Sequence, residues 1–473
     1  MKPFPNKRVV WLIIPLVPVV LMTAVLWYAG RPDAEAIARR GAEPPPEKKF
    51  SLVDPGSWSV TADWLGDGMD ALMTWEYNPW REQWKRDRWF GKRIEKLQNS
   101  NNPEDKAELE RLRKMGQEWY ERILARYPEL AMKPVTPVAP GENGYLQWQK
   151  LMESVLSSKG HLFQSPIPQD LVDHIRKGND PDMAALKSWL EANRARIEEI
   201  RAIGLLPAQA AEGTFEEVQR LGSNTWVRHA SDALMLDARA AMADGDTARA
   251  LESIRAMTGL ADHLSDNGSP TLIGTMLAYN IRGRAERYVL ESLLSSASPG
   301  SIDTAAWQAA LNPTLRAPSE MADTIRGEWN IGMPASLLAV LSDSADPGTP
   351  RDADYLAELY TRHTAALIKQ AEGVSLKEYA ASPQVVTSVD QLSRRSRELQ
   401  LVNQWDPRSV FVRGQEQTGL TQAAFAIMNG QPVPVDPVYG LPYKWDPVKR
   451  ELALPDIPDK RNYKTRPVTV PRM

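Results

Sequence analysis

Glu216 and Glu217 stand side by side just ahead of Val218. A carboxylate there could serve as one half of a glycosidase pair, provided a second acid lies about 5 to 9 Å away. With 60 acidic residues in the chain, the solvated first turn of a helix accounts for the pair at least as well. His229 lies one helical turn before Asp232, a spacing that suits a hydrogen-bonded structural histidine better than a catalytic one. Asn280 and Arg284, four apart on the inward edge of a patterned helix, need polar partners. They read either as an inter-helix contact or as the floor of a groove that holds a partner. Finally, Trp75, Trp80, Trp84 and Trp89 crowd together with Arg81, Lys85, Arg86 and Arg88. Such a patch can be plain packing, a membrane-interface belt beside lipid headgroups, or a stacking platform for a ring-shaped ligand.

Beyond these residues the sequence offers no catalytic, cofactor-binding or metal-ligating set. It lacks G-x-S-x-G, a P-loop, the dinucleotide glycine pattern, H-E-x-x-H and S-x-x-K. Cysteine is absent, which removes thiolate metal sites and a cysteine nucleophile, and the 5 histidines are scattered. A net charge of −3 gives no electrostatic footprint for nucleic acid. Hydrophobic content of 42% with 25% charge is that of an ordinary globular chain.

The elements that must position these residues are helical. Ala233 to Met257 reads as a helical hairpin. The first helix ends at Asp244-Gly245-Asp246, and the second starts with Asp246 or Thr247 as its cap. Ala250, Leu251, Ile254, Met257, Ala261 and Leu264 then share one face. A third helix comes after Asp266–Pro270, with Leu272, Ile273, Met276, Leu277, Ile281, Ala285, Tyr288, Val289 and Leu293 as its stripe. None of the three can bury its face alone, so each requires a neighbour.

Other helices are expected over 103–127, from Tyr145 to Val155 and over 182–203. More are expected over 303–311, 319–330, 334–341, 354–372 and 388–403. Alternating strands are missing from this body, so the expected class is all-α.

At the N-terminus, Val9 to Ala29 carries no charge. About 20 residues at 1.5 Å each span roughly 30 Å, the thickness of a hydrocarbon core. Lys2, Lys7 and Arg8 precede it, and Trp27 makes a poor signal-peptidase site. A transmembrane signal anchor is expected, with the body in the periplasm. The chain then divides into the stub and anchor (1–30), a Pro-rich stalk (31–57) and a Trp-rich helical region (58–132). The main helical domain (145–405) and a C-terminal region (406–473) complete it.

In that last region a helix over Thr421–Ile427 leads to Asn429-Gly430-Gln431-Pro432 and then VDPVYGLPYKW. Asp436-Pro437 should open a turn, Gly440 permits a left-handed backbone, and Tyr443 and Trp445 alternate on a short hairpin strand.

The segment around Gly245-Asp246, Ala250 and Leu251 resembles one tetratricopeptide-type unit, with Ala250 where the two helices approach most closely. The C-terminal element is similar to the end of type II secretion pseudopilins, which implies a small folding cap. Taken whole, the chain resembles membrane-anchored helical proteins of environmental bacteria. The expected function is a protein-interaction scaffold at the cell envelope, with the membrane and a protein as partners. An envelope glycan hydrolase, with paired carboxylates in a Trp-lined cleft, is the alternative.

Overall fold

The computed structural model describes residues 100–133, 141–157, 161–207, 222–265, 270–297, 302–343, 361–383, 407–457 and 465–472, with a few isolated positions between. These all fall in the unit running from Trp58 to Met473. The expected anchor Val9–Ala29, the stalk, the tryptophans 75, 80, 84 and 89, and Glu216-Glu217 lie outside them. Among the described residues no helix is long and apolar enough to cross a membrane.

The body is mostly helical. Its helices include α1 (Pro103–Arg126), α2 (Gly144–Ser157), α3 (Gln169–Lys177), α4 (Met183–Ala192), α5 (Arg194–Gly204) and α6 (Gly222–Ala243), and residues 361–371 are helical too. Then come α7 (Thr247–Ser265), α8 (Leu272–Tyr288), α9 (Thr304–Leu311), α10 (Pro318–Asp343), α11 (Leu376–Ala381) and α12 (Pro407–Met428). A wider π turn, Val289–Leu294, prolongs α8. The strands β1 (Lys444–Asp446), β2 (Glu451–Ala453) and β3 (Val468–Thr469) form an antiparallel sheet in that order, with Trp445 opposite Leu452 and Leu452 opposite Val468.

The hairpin of α6 and α7 turns as its residue types require. The Gly245 backbone is left-handed (φ 77°). The amide of Asp246 donates to the Ala241 carbonyl at 2.8 Å and that of Gly245 to Met242 at 3.2 Å. These are the paired hydrogen bonds that satisfy a helix's last carbonyls. Asp246 caps α7 by accepting from the Arg249 amide at 3.0 Å. Gly245→Val should therefore cost about 1–2 kcal/mol through the left-handed backbone alone, read as a lower melting temperature. A space-filling explanation is excluded, because a Cβ there would meet nothing within 4 Å.

Several expectations need correcting. The single helix expected over 182–203 is two. Asn193, buried between α4 and α5, donates from its side-chain amide to the Trp189 carbonyl at 2.8 Å and accepts from the Gln164 amide at 2.8 Å. That competing local bond breaks the helix. Conversely, the helices expected over 319–330 and 334–341 are one, since α10 runs through Pro334. The proline costs one backbone bond, to the carbonyl four residues earlier, without ending the helix. Ile273, expected in the buried stripe of α8, is 44% exposed.

Ala250 is fully buried, but the glycine-dependent backbone approach on α7 lies further along. A Cβ on Gly259 would sit 1.9 Å from the Gly204 carbonyl oxygen, and one on Gly204 would sit 2.3 Å from that of Ala256. Helices α5 and α7 thus touch backbone to backbone.

The largest core joins α2 to α9, α12 and the sheet, through residues such as Trp148, Ile200, Leu236, Met257, Trp307, Phe425 and Leu452. A second core gathers α1, α10, α11 and the start of α12 around Trp329, Tyr379 and Phe411. Tyr120 of α1 stacks on Trp329 of α10 at 5.6 Å. Helix α8 runs at the centre, packed against α6, α7, α10 and α12.

Candidate functional site

The polar residues of α8 radiate to three neighbouring helices. Towards α6, Arg284 donates from Nη2 to Asp232. Its Nη1 is buried with no hydrogen-bond partner among the described residues. Towards α7, Arg282 is ion-paired to Asp262, which also takes Arg316 at 3.0 Å. Arg316 is held in turn by Glu320 at 2.7 Å, and its amide donates to Gln415 Oε1 of α12 at 2.7 Å. Towards α12, Glu286 is buried, with the Thr418 and Thr421 hydroxyls at 3.2 and 3.1 Å from its oxygens. Loss of solvent raises the Glu286 carboxyl to about 7, despite the opposing pull of the threonine hydroxyls and Arg282. Burial, and then the like charge of Arg316, lowers the Arg282 guanidinium to about 10.

Between α8 and α12 lies a cavity about large enough for one water molecule. Tyr279, Arg282, Glu286, Gln415 and Thr418 contribute to its lining. Its walls come close because a glycine on each helix leaves room for a larger side chain of the other. Gly283 lies under Gln417, and a Cβ on Gly414 would come 3.0 Å from the Tyr279 ring. The enclosure suits a buried solvent molecule, not a substrate.

Two further networks use residues that could do chemistry. Asp237 of α6 is fully buried. It accepts from Arg201 of α5 at 2.6 Å, from Ser253 of α7 at 2.5 Å, and from Arg249 of α7. On the far side of α12, Glu416 accepts from Tyr439 at 2.5 Å and from Thr465. Asp436 accepts from the Val438 and Tyr439 amides at 2.6 and 3.0 Å, fixing the turn in which Gly440 has φ 70°. Burial and the charges of Asp436 and Glu416 raise the Tyr443 phenol. Its oxygen would lie 2.6 Å from a Cβ on Gly419, so that glycine lets the turn seat on α12.

The residues singled out in the sequence are therefore dispersed. Asn280 is exposed rather than inward. Arg284 makes an inter-helix ion pair with Asp232, while His229 sets its ring edge-on to Trp226 at 5.8 Å. Among the described residues no group of three or more His, Cys, Asp or Glu is placed to hold a metal.

What sequence reading misses is the charge pairing of α8. Arg282 and Glu286 share the four-residue spacing of Asn280 and Arg284, and that spacing is the available signal. Neither family models, curated proteins nor solved structures match the chain.

Proposed function

We propose that the chain is a protein-interaction scaffold held at the cell envelope by Val9–Ala29, with its helical body in the periplasm. The observation that carries this reading is the outer stripe of α8. Ile273 is exposed, Leu277 half-buried, Asn280 exposed and Arg284 half-buried. These residues succeed one another at helical spacing along a single face. An apolar side chain, an amide and a guanidinium in a row suit a protein surface that combines a hydrophobic anchor with polar registration. The helix behind them is fixed by ion pairs to α6 and α7, so the stripe is presented on a rigid element. The pairing of α6 and α7 across the Gly245 turn supports a tetratricopeptide-like organisation, in which such faces bind partners.

The full chain, captured from membranes after chemical cross-linking, should retain a discrete protein partner. Ile273→Asp combined with Asn280→Arg should weaken that capture by at least about tenfold, as loss of a central contact does. Both positions are exposed, so the melting temperature should stay that of the parent. Equal capture by parent and variant would refute the surface.

The anchor makes a separate prediction. The chain should resist alkaline extraction from membranes, and external protease should reach the body in spheroplasts but not in intact cells. Recovery of a soluble mature form starting near Arg31 would contradict it.

A further inference from the structure

Glu286 is buried and makes no ion pair among the described residues; its direct partners are the Thr418 and Thr421 hydroxyls. Facing it from its own helix is Arg282, whose guanidinium is taken by Asp262 of α7. Arg316, ahead of α10, is answered by Asp262 and Glu320. From α12 the facing groups are Gln415, Thr418 and Thr421, all uncharged. Glu416 on the same helix is turned to Tyr439 and Thr465. Arg287, next in sequence, is directed at Glu291 and at the carbonyls of Arg466 and Pro467, the latter at 3.2 Å. Tyr279 is the remaining ionisable group on the cavity wall. Arg282 and Arg316 are thus engaged by Asp262 and Glu320, Arg287 and Arg466 share Glu291, and an ionised Glu286 would be a buried carboxylate held by hydroxyls with no direct ion pair.

We propose that Glu286 is a proton-operated latch that sets how firmly α12 is held on α8. With its proton on, the carboxyl is neutral and sits between two hydroxyls in a site closed to bulk solvent. With the proton released to solvent, the same site holds a bare carboxylate. Separation of α12 from α8 then relieves that charge by hydrating it. The turn over 436–443 is seated on α12 by Glu416 and Gly419, while the segment leading into β3 is held on α8 by Arg287. This inference is independent of the scaffold reading.

The direction in pH comes from the raised carboxyl. Below the ordinary value of 4.5 the carboxyl is protonated whether α12 is seated or released, and the latch is fully closed. Between 4.5 and about 7 only the released form ionises, so opening becomes easier as pH rises. Above that range both forms are ionised and the effect levels off. From about pH 5 to about pH 8 the opening equilibrium of α12 should rise by about 50- to 100-fold.

Amide hydrogen exchange of the full chain, corrected for the intrinsic pH dependence of exchange, reads this opening directly. Protection over Pro407–Met428 should fall by that factor between those two pH values, whereas in Glu286→Gln it should not change with pH. The same slope in parent and variant, or a flat parent, overturns the latch. Should Glu286→Gln fail to fold, infrared difference spectroscopy on the parent decides. A buried protonated carboxyl present at about pH 6 and lost by about pH 8 supports the proposal, and its absence at the lower pH overturns it.

Discussion

Gly259→Val should destabilise the body by about 3 kcal/mol or more, the upper end of overpacking costs. The first atom of the new side chain would lie 1.9 Å from the Gly204 carbonyl oxygen. That neighbour is helix backbone, which cannot rotate aside as a side chain would. Relief requires α5 to move off α7, which would open the contact that buries Ile200, Ile203, Ala256 and Leu260. Gly259→Ala meets the same clash with its single carbon and should already cost a large part of this. Chemical denaturation monitored by circular dichroism measures both. A midpoint within error of the parent for Gly259→Val would mean that α5 and α7 are not packed backbone to backbone.

Asp237→Ala should cost about 3–5 kcal/mol, because it removes one member of a buried ionic cluster and strands the others. Asp237 is fully buried, and the Arg201 side chain beside it retains only 15% of its exposure. The truncation leaves Arg201, Arg249 and Ser253 facing a cavity without an acceptor. Asp237→Asn keeps the volume and one acceptor oxygen and should fall between parent and alanine. The contrast that isolates burial is Lys187→Ala. Lys187 pairs with Asp244 while about half exposed, and its removal should change stability by less than about 1 kcal/mol. If Asp237→Ala proves as mild as Lys187→Ala, the three helices are not joined through that carboxylate.

The parts legible in the sequence are those dictated by local chemistry. Asp244-Gly245-Asp246 announces its turn because glycine alone enters the left-handed region at little cost, and because Asp246 is placed to cap the next helix. The Asp436–Tyr443 turn and its strand are readable for the same reason. Asn193 is not, since a buried asparagine in a helical pattern looks like any polar residue until Gln164 is brought against it. Pro334 misleads in the opposite sense, suggesting a helix end where α10 continues.

The polar chemistry of α8 is half visible. A four-residue spacing shows which groups share a face, but not that Asp232, Asp262 and Thr421 arrive from three different helices to meet them. Spacing alone singles out Asn280 and Arg284. Of the two, Asn280 is exposed where a partner can reach it, while Arg284 is spent largely on Asp232. The close contact of Gly204 with Gly259 joins helices that are distant in the chain, and no periodicity encodes it.

The central claim is that the body works by holding another protein on the outer face of α8. Its most direct test compares the full chain with the Ile273→Asp, Asn280→Arg variant in one experiment. Both are purified from membranes after cross-linking, and both are assayed in parallel on cell-wall glycan. The account predicts a discrete protein retained by the parent, lost from a variant of unchanged melting temperature, and no glycan turnover by either. Glycan turnover by both proteins, with no protein retained, would contradict it.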